Sequence, residues 1–326
     1  MVSHAGPRPS PLPKAERADF TLAPVGRGQG RDGDFEPHAA SPSSGSGLQA
    51  GARTAGEGSS AARRRLQMKP LEPVAPHRRI ALGVAFFVLF VLVWAAVTFG
   101  GFVSKTFLAD PLTMLRSGWT LLAEMNFAYD IGMTVWRVLG GFVIAAALAL
   151  PLGVAMGAYK PIEAFFEPFV SFARYLPASA FIPLLILWAG IGETQKLAVI
   201  FIGAFFNLVL MIAVAVGNTR RDLVEAAYTL GCDHRGVVRR VLIPGAAPEI
   251  AEILRMVLGW AWTYVIVAEL IGASSGIGHM ITDSQALLAT DQIIFGIIVI
   301  GLIGLASDLL FKLGNRRLFP WAQIGR

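Results

Sequence analysis

From Ile80 to Val103 the chain carries no charged side chain. A helix of about twenty residues, each rising about 1.5 Å, crosses a hydrocarbon core of about 30 Å. Inside that core every backbone N–H and C=O must bond within the protein, so such a run folds as a helix. Apolar stretches of similar length recur along the chain, and the predicted spans are 80–103, 131–158, 163–189, 196–216, 253–271 and 293–311. With 54% hydrophobic and 15% charged residues and a mean hydropathy of +0.58, the chain reads as an all-α integral membrane protein of six transmembrane helices.

The charges orient these spans. Arg78 and Arg79 precede the first; Arg220, Arg221, Arg235, Arg239 and Arg240 lie between the fourth and fifth; Lys312, Arg316 and Arg317 follow the sixth. The segment 272–291 has no Lys or Arg and carries Asp283 and Asp291. Basic loops stay on the cytoplasmic side, which predicts cytoplasmic N- and C-termini. The net charge of +6 therefore belongs to basic loops, and no nucleic-acid partner is expected, because no basic stretch is interleaved with aromatics. The single cysteine, Cys232, cannot form an internal disulfide and is expected as a reduced cytoplasmic thiol.

Residues 1–69 are rich in Gly, Pro, Ser, Ala and Arg and poor in large apolar residues, which predicts a disordered leader. Their Gly28-Gln-Gly30-Arg-Asp-Gly33 has the letters of a dinucleotide fingerprint but neither the preceding strand nor the following helix. Arg63 to Arg65 form a basic run, read as a solvated charge cluster or a contact to anionic lipid. A start at Met68 would place Met-Lys-Pro shortly before the first span, so the leader is also open to the reading of a misassigned start. The membrane region is 70–326.

Between the spans, Leu112, Leu115, Trp119 and Leu122 repeat at helical spacing and predict an amphipathic helix at the outer interface. In span two, Gly140-Gly141 and Gly153-x-x-x-Gly157 allow another helix to approach closely. Span three holds Pro168, Pro177 and Pro183, so it is predicted to be broken, as helices lining a membrane cavity are.

The most informative stretch is polar. Glu225-Ala226-Ala227-Tyr-Thr-Leu230-Gly231, followed by residues 232–244 ending Val241-Leu-Ile243-Pro244, reads as two short amphipathic helices around a glycine turn. Leu223, Ala227 and Leu230 make one apolar face; Val237, Val238, Val241 and Leu242 make the other, with Arg235, Arg239 and Arg240 off it, and Pro244 is expected to stop the second helix. This stretch resembles the EAA loop of ABC-importer permease subunits, whose pattern is EAA, three residues, Gly, nine residues, Ile-x-Leu-Pro. Both spacings are kept, with Val241 and Ile243 as apolar replacements. Arg174-Tyr-Leu-Pro177 through Trp188, then Gly190-Ile-Gly192-Glu193, is similar to the nitrate, sulfonate and taurine branch, although Pro177-Ala178 stands where that branch commonly has Pro-Pro.

The resemblance implies a MetI-like, type I importer permease fold over roughly residues 80–320. It implies a homodimer with the path at the interface, two cytoplasmic ABC ATPase subunits docked on the EAA loops, an external or periplasmic binding protein delivering substrate, and an inner-membrane location among lipid. Glu225, Ala226, Ala227, Gly231, Val241, Ile243 and Pro244 would form the ATPase-coupling element within 217–249. The sequence holds no G-x-x-x-x-G-K-[ST], no H-E-x-x-H and no metal-spaced Cys/His cluster, so no catalytic or metal residues are assigned. ATP and Mg would be bound by the partner ATPase, and the chain itself would not be an enzyme.

Ionisable groups within spans are costly and mark function by default. Glu269 is read either as a gate residue or as a carboxylate that reaches the interface or pairs with Arg137. Arg174 is read either as an anion-attracting residue of the path or as one near the cytoplasmic boundary. Arg137 and Asn207 join Glu269 and Arg174 as candidate pathway or gate residues, while Asn207 and Asp308 are also read as packing or helix-pairing groups. The expected cargo is a small anion such as taurine, an alkanesulfonate or nitrate. The alternatives are another small solute, such as bicarbonate or a pyrimidine precursor, an ion-coupled secondary transporter, or a membrane scaffold or receptor.

Overall fold

The computed structural model describes residues 75–104 and 106–323, so the expectations for the leader and Met68 lie outside the described residues. The described chain is helical throughout. In order the helices are α1 Pro76–Phe99, α2 Pro111–Glu124, α3 Phe127–Ala158, α4 Lys160–Ala173, α5 Ile182–Ala189, α6 Glu193–Gly217, α7 Arg221–Thr229, α8 His234–Val237, α9 Ile243–Glu269, α10 Ile277–Ala286 and α11 Thr290–Leu318.

The core is a seam between α3 and α6, with α9 against it. Gly141 faces Ile200, Gly153 faces Ile212 and Gly157 faces Val216. Numbers rise together along both helices, so α3 and α6 run parallel. The chain between them must therefore recross the bundle, and α4 with α5 is that crossing. It is a bent pair turned by 82° at residues 174–177. The residue before a proline is driven out of the helical region, so Leu176-Pro177 breaks the rod, and Pro177 sits extended at φ −66°, ψ 120°.

The remaining crossings follow from their pairings. Gly203 meets Tyr264 and Gly245 meets Thr219, so α9 runs antiparallel to α6. Trp262 bonds Ser307, and Arg255 pairs with Asp308, so α11 runs back along α9. Five helices are long and apolar enough to span, and the bent pair makes six. Six crossings return both ends of the described chain to one face. That face carries Lys160, Arg220, Arg235, Arg240 and Arg317; the other carries Glu124, Asp130, Glu193, Asp283 and Asp291. Asp308, read from sequence as a helix-pairing group, does join α11 to α9 and also pairs with Lys312 at 2.7 Å.

One local expectation is corrected. Pro244 does not stop the second helix of the polar loop. Residues 234–269 form one continuous span-length helix. A wide turn at Val238–Leu242, in which the Ile243 N–H reaches the Val238 carbonyl, carries the chain into α9. Pro244 falls in the first turn of α9, where its missing N–H is tolerated. The apolar row Leu112, Leu115, Trp119 and Leu122 is the exposed side of α2, whose buried side is Met114, Gly118 and Leu121 against α11. The segment 272–291 contains α10, a helix its mixed composition did not announce.

Helix α1 buries none of its apolar window against the rest of the protomer. Its one cross-helix hydrogen bond in the described residues is Trp94 Nε1 to the Ala109 carbonyl, 3.1 Å. A helix apolar on all sides with no internal partner is covered by lipid or another membrane chain.

Candidate functional site

At the basic face, α7 ends as its sequence requires. Gly231 has φ +83°, and a Cβ there would meet nothing within 4 Å, so glycine is needed for the backbone angle and not for space. The Cys232 N–H reaches the Ala227 carbonyl at 3.0 Å and the Gly231 N–H reaches the Tyr228 carbonyl at 3.0 Å. This paired closure caps the helix. Asp233 then accepts from the Gly236 N–H at 3.0 Å and starts α8. Arg220 bonds Asp222, holding that carboxyl below its ordinary range.

The predicted apolar face of α7 splits in two. Ala227 is buried, whereas Leu230 is 84% exposed at the tip of the turn. Glu225 and Ala226 are exposed, Val241 is half-buried, and Ile243 and Pro244 are exposed. Val237 is buried under the second helix, with Arg235, Arg239 and Arg240 outward. The loop therefore stands off the bundle with an uncovered apolar tip flanked by charge.

At the opposite face lies a buried cluster that sequence reasoning reached only in part. Arg137 and Glu269 are both fully buried and pair at 2.7 Å. All five guanidinium N–H groups of Arg137 have acceptors. Nε and Nη2 reach the two Glu193 oxygens at 2.6 and 2.7 Å; Nη1 reaches Glu269 Oε1 and the Ser275 carbonyl, each at 2.7 Å; Nη2 also reaches Ser275 Oγ at 3.0 Å. Glu269 in turn accepts from Thr134 Oγ1 at 2.9 Å and from the Gly278 N–H at 2.9 Å. Lys196 adds a second cation, 3.1 Å from Glu193. Two cations face two carboxylates, so the cluster is balanced.

This cluster ties four elements together. Arg137 and Thr134 come from α3, Glu193 and Lys196 from α6, Glu269 from α9, and Ser275 to Gly278 from the turn into α10. Asp130 fastens the same turn through the Gly276 N–H at 2.6 Å. Gly276 sits at φ +109°, and a Cβ there would lie 2.5 Å from Glu269 Oε1 and 2.6 Å from Arg137 Nη1. Of the two readings of Glu269, the ion pair with Arg137 is the one found. Neither group is open to a path within the protomer. Glu193, Ser275 and Thr134 were not singled out from sequence.

The other two polar candidates lie apart from both clusters. Asn207 donates to the Gly203 carbonyl of its own helix at 3.0 Å. Arg174 stands at the break of the bent span, exposed, and donates to Tyr175 OH at 2.8 Å. The boundary reading of Arg174 is not supported by its level in the bundle. Phe169, five residues before it, meets Phe206 edge-to-face, and Ala178, just after it, lies in one apolar cluster with Val199. Taking about 1.5 Å per residue along α6, the break lies roughly 14 Å from one end of that helix and 22 Å from the other.

Residues 149–320 match the family model described as binding-protein-dependent transport system inner membrane component. A probable ABC transporter permease protein of Brucella abortus strain 2308 is 37% identical over 216 residues, 66% of this chain and 86% of that protein. The taurine transport system permease protein of Escherichia coli strain K12 is 31% identical over 252 residues, 75% of this chain and 90% of that one. A putative aliphatic sulfonates transport permease protein of Bacillus subtilis strain 168 is 31% identical over 71% of this chain and 84% of that one. Among solved structures, an amino acid ABC transporter crystallised with histidines superposes with a TM-score of 0.51 at 19% identity, covering 64% of this chain and 99% of that one. That likeness bears on the fold.

Proposed function

The chain belongs to the family of binding-protein-dependent transport system inner membrane components, in its taurine, sulfonate and nitrate branch, and from that membership we propose that it passes a small oxyanion across the membrane under the drive of a separate ATPase. It is a non-enzymatic permease subunit of an ABC importer and resides in the inner membrane. The finer reading has two copies of the chain, two ATPases that hold ATP and Mg, and an external binding protein. The termini face the ATPases.

The observation that carries the coupling part is the turn at Leu230-Gly231. A large apolar side chain, 84% exposed at the tip of a loop on the basic face, is a poor solvent group and a good anchor for a groove. Exposed Glu225 beside it offers a carboxylate to a basic partner residue. In this reading ATPase closure moves α7 and α8. Because residues 234–269 are one continuous helix, that displacement enters the membrane along α9 without a joint.

Co-purification with a co-expressed ABC ATPase partner tests this. Leu230→Asp is expected to cut the recovered ATPase at least tenfold while leaving the permease's thermal stability in detergent unchanged, because the side chain makes little contact within the protomer. Gly231→Pro is expected to do the same, since a proline cannot take φ +83° and removes the N–H that caps α7. Full ATPase recovery with both variants would remove the coupling role from this turn. The cargo is tested by uptake of labelled taurine, an alkanesulfonate and nitrate in a deletion strain with and without the gene. Uptake that depends on the gene and is lost on ATP depletion is expected for at least one. Gene-dependent uptake that persists without ATP would instead support an ion-coupled transporter.

A further inference from the structure

Arg137 within α3 and Arg174 at the break of the bent span have opposite surroundings. Arg137 is sealed, with five N–H groups on five acceptors. Arg174 is exposed, and among the described residues its guanidinium has one hydrogen bond, to Tyr175 OH, and no carboxylate within ion-pair distance. The guanidinium carbon stands 4.7 Å from the centre of the Tyr175 ring, which holds the group against an aromatic face. Tyr175 is itself 74% exposed.

The level of this pair decides its meaning. At roughly 14 and 22 Å along α6 from its two ends, Arg174 is too deep for a boundary residue. An ionised arginine facing hydrocarbon at that depth costs several kcal/mol, so such groups face a water-filled cavity or a partner. A broken helix at membrane depth is likewise tolerated only where the freed backbone lines a cavity or is buried in protein. The exposed Ser179 follows the break. The observations converge on one exposed polar surface at the bend.

We propose that Arg174, braced by Tyr175, is the anion contact of the translocation path, where the headgroup of a small singly charged oxyanion is held in mid-membrane. A planar guanidinium with free N–H groups presents the donor fork that matches two oxygens of a sulfonate or nitrate. A solvent-exposed contact of this kind holds an anion weakly enough to be released. The proposal rests on the reading that the chain passes small anions.

Two measurements test it, the first independent of cargo. Cys232 is the only cysteine, so Cys232→Ser supplies a cysteine-free background. In that background, Arg174→Cys in the assembled complex is expected to react with 2-sulfonatoethyl methanethiosulfonate, an aqueous anionic sulfonate reagent. Phe165→Cys, on the outward aromatic row of α4, is expected to react at least tenfold more slowly. No reaction at position 174 would overturn the proposal, because the site would then face lipid or protein. In the second, uptake of labelled taurine and nitrate is measured for Arg174→Gln and Arg174→Lys, with assembly read by ATPase co-purification. Arg174→Gln is expected to lower uptake at least tenfold with the complex intact, and Arg174→Lys to restore part of it. Undiminished uptake by Arg174→Gln would overturn the proposal while leaving the anion reading standing. Loss of assembly in both variants would overturn it in favour of a contact between copies of the chain. Absence of anion uptake by the unmodified complex would remove the anion reading, and the proposed ligand with it.

Discussion

Replacing Glu269 by leucine is expected to abolish most of the folded protein. The carboxylate is fully buried and accepts hydrogen bonds from Arg137, Thr134 and the Gly278 N–H. Leucine fills the volume and accepts none of them. Arg137 would then be a sealed cation with one of its two carboxylates gone, and Lys196 would tip the cluster to net positive. Breaking one partner of a buried ion pair costs about 3–5 kcal/mol, a large part of a domain's stability. Glu269→Gln, which keeps the oxygen for acceptor duty and loses the charge, should lie between wild type and Glu269→Leu. The double variant Arg137→Met/Glu269→Leu should be less damaged than the sum of the singles, because no uncompensated arginine remains. Half-inactivation temperatures in detergent, with monodispersity as the check on folding, read all four. Additive singles and double would mean that the two groups do not act as a pair.

Gly157→Leu should be nearly as severe, for a steric reason. A Cβ at Gly157 would lie 2.5 Å from the Ala213 carbonyl oxygen and 2.7 Å from Val216 Cβ, and one at Gly153 would lie 2.8 Å from Ile212 Cβ. The obstructing atoms are backbone and branched carbons rooted in α6, so no rotamer change relieves them. The helices must part along the parallel seam that forms the core. Overpacking of a tight core costs about 1–3 kcal/mol and sometimes more, and leucine adds a full side chain to a contact that cannot hold a methyl group. Gly132→Ala in the same helix is the control. Its Cβ would meet nothing within 4 Å, so the sign should reverse, with a gain of up to about 1 kcal/mol from helix propensity. If Gly157→Leu and Gly132→Ala shift the inactivation temperature alike, the close approach of α3 and α6 is not what stabilises the fold.

These two sites were legible in sequence to different depths. The Gly153-x-x-x-Gly157 spacing announced close packing but not the partner, since small residues on one helix say nothing of which helix meets them. The Arg137–Glu269 pair was one of several readings of two ionisable groups in apolar runs. Its other members gave no such signal. Glu193 stood only at the end of the branch-like Gly190-Ile-Gly192-Glu193, and Ser275 and Thr134 carried no mark at all. Their roles come from contacts 56 to 138 positions apart in the chain, which no helical period encodes. The polar loop lies at the other extreme. Its turn is a local event: Gly231 is needed for φ +83°, and the capping bonds span four to six residues. Pro244 was misread because a proline forbids its own N–H bond but not the first turn of a following helix.

What the sequence alone determined is whatever depends on neighbours within a few residues or on bulk transfer into lipid. The lengths of the apolar runs set six crossings, the sorting of basic and acidic loops set their alternation, and Leu176-Pro177 set a break in the third. Tertiary structure alone decided that α3 and α6 run parallel, that four elements converge on Arg137, and that the break leaves Arg174 exposed midway along the bundle with one hydrogen bond among the described residues. A buried charge is stabilised only by acceptors placed around it in three dimensions, and depth is measured against neighbouring helices. Both properties belong to the packed assembly of helices and to none of them singly.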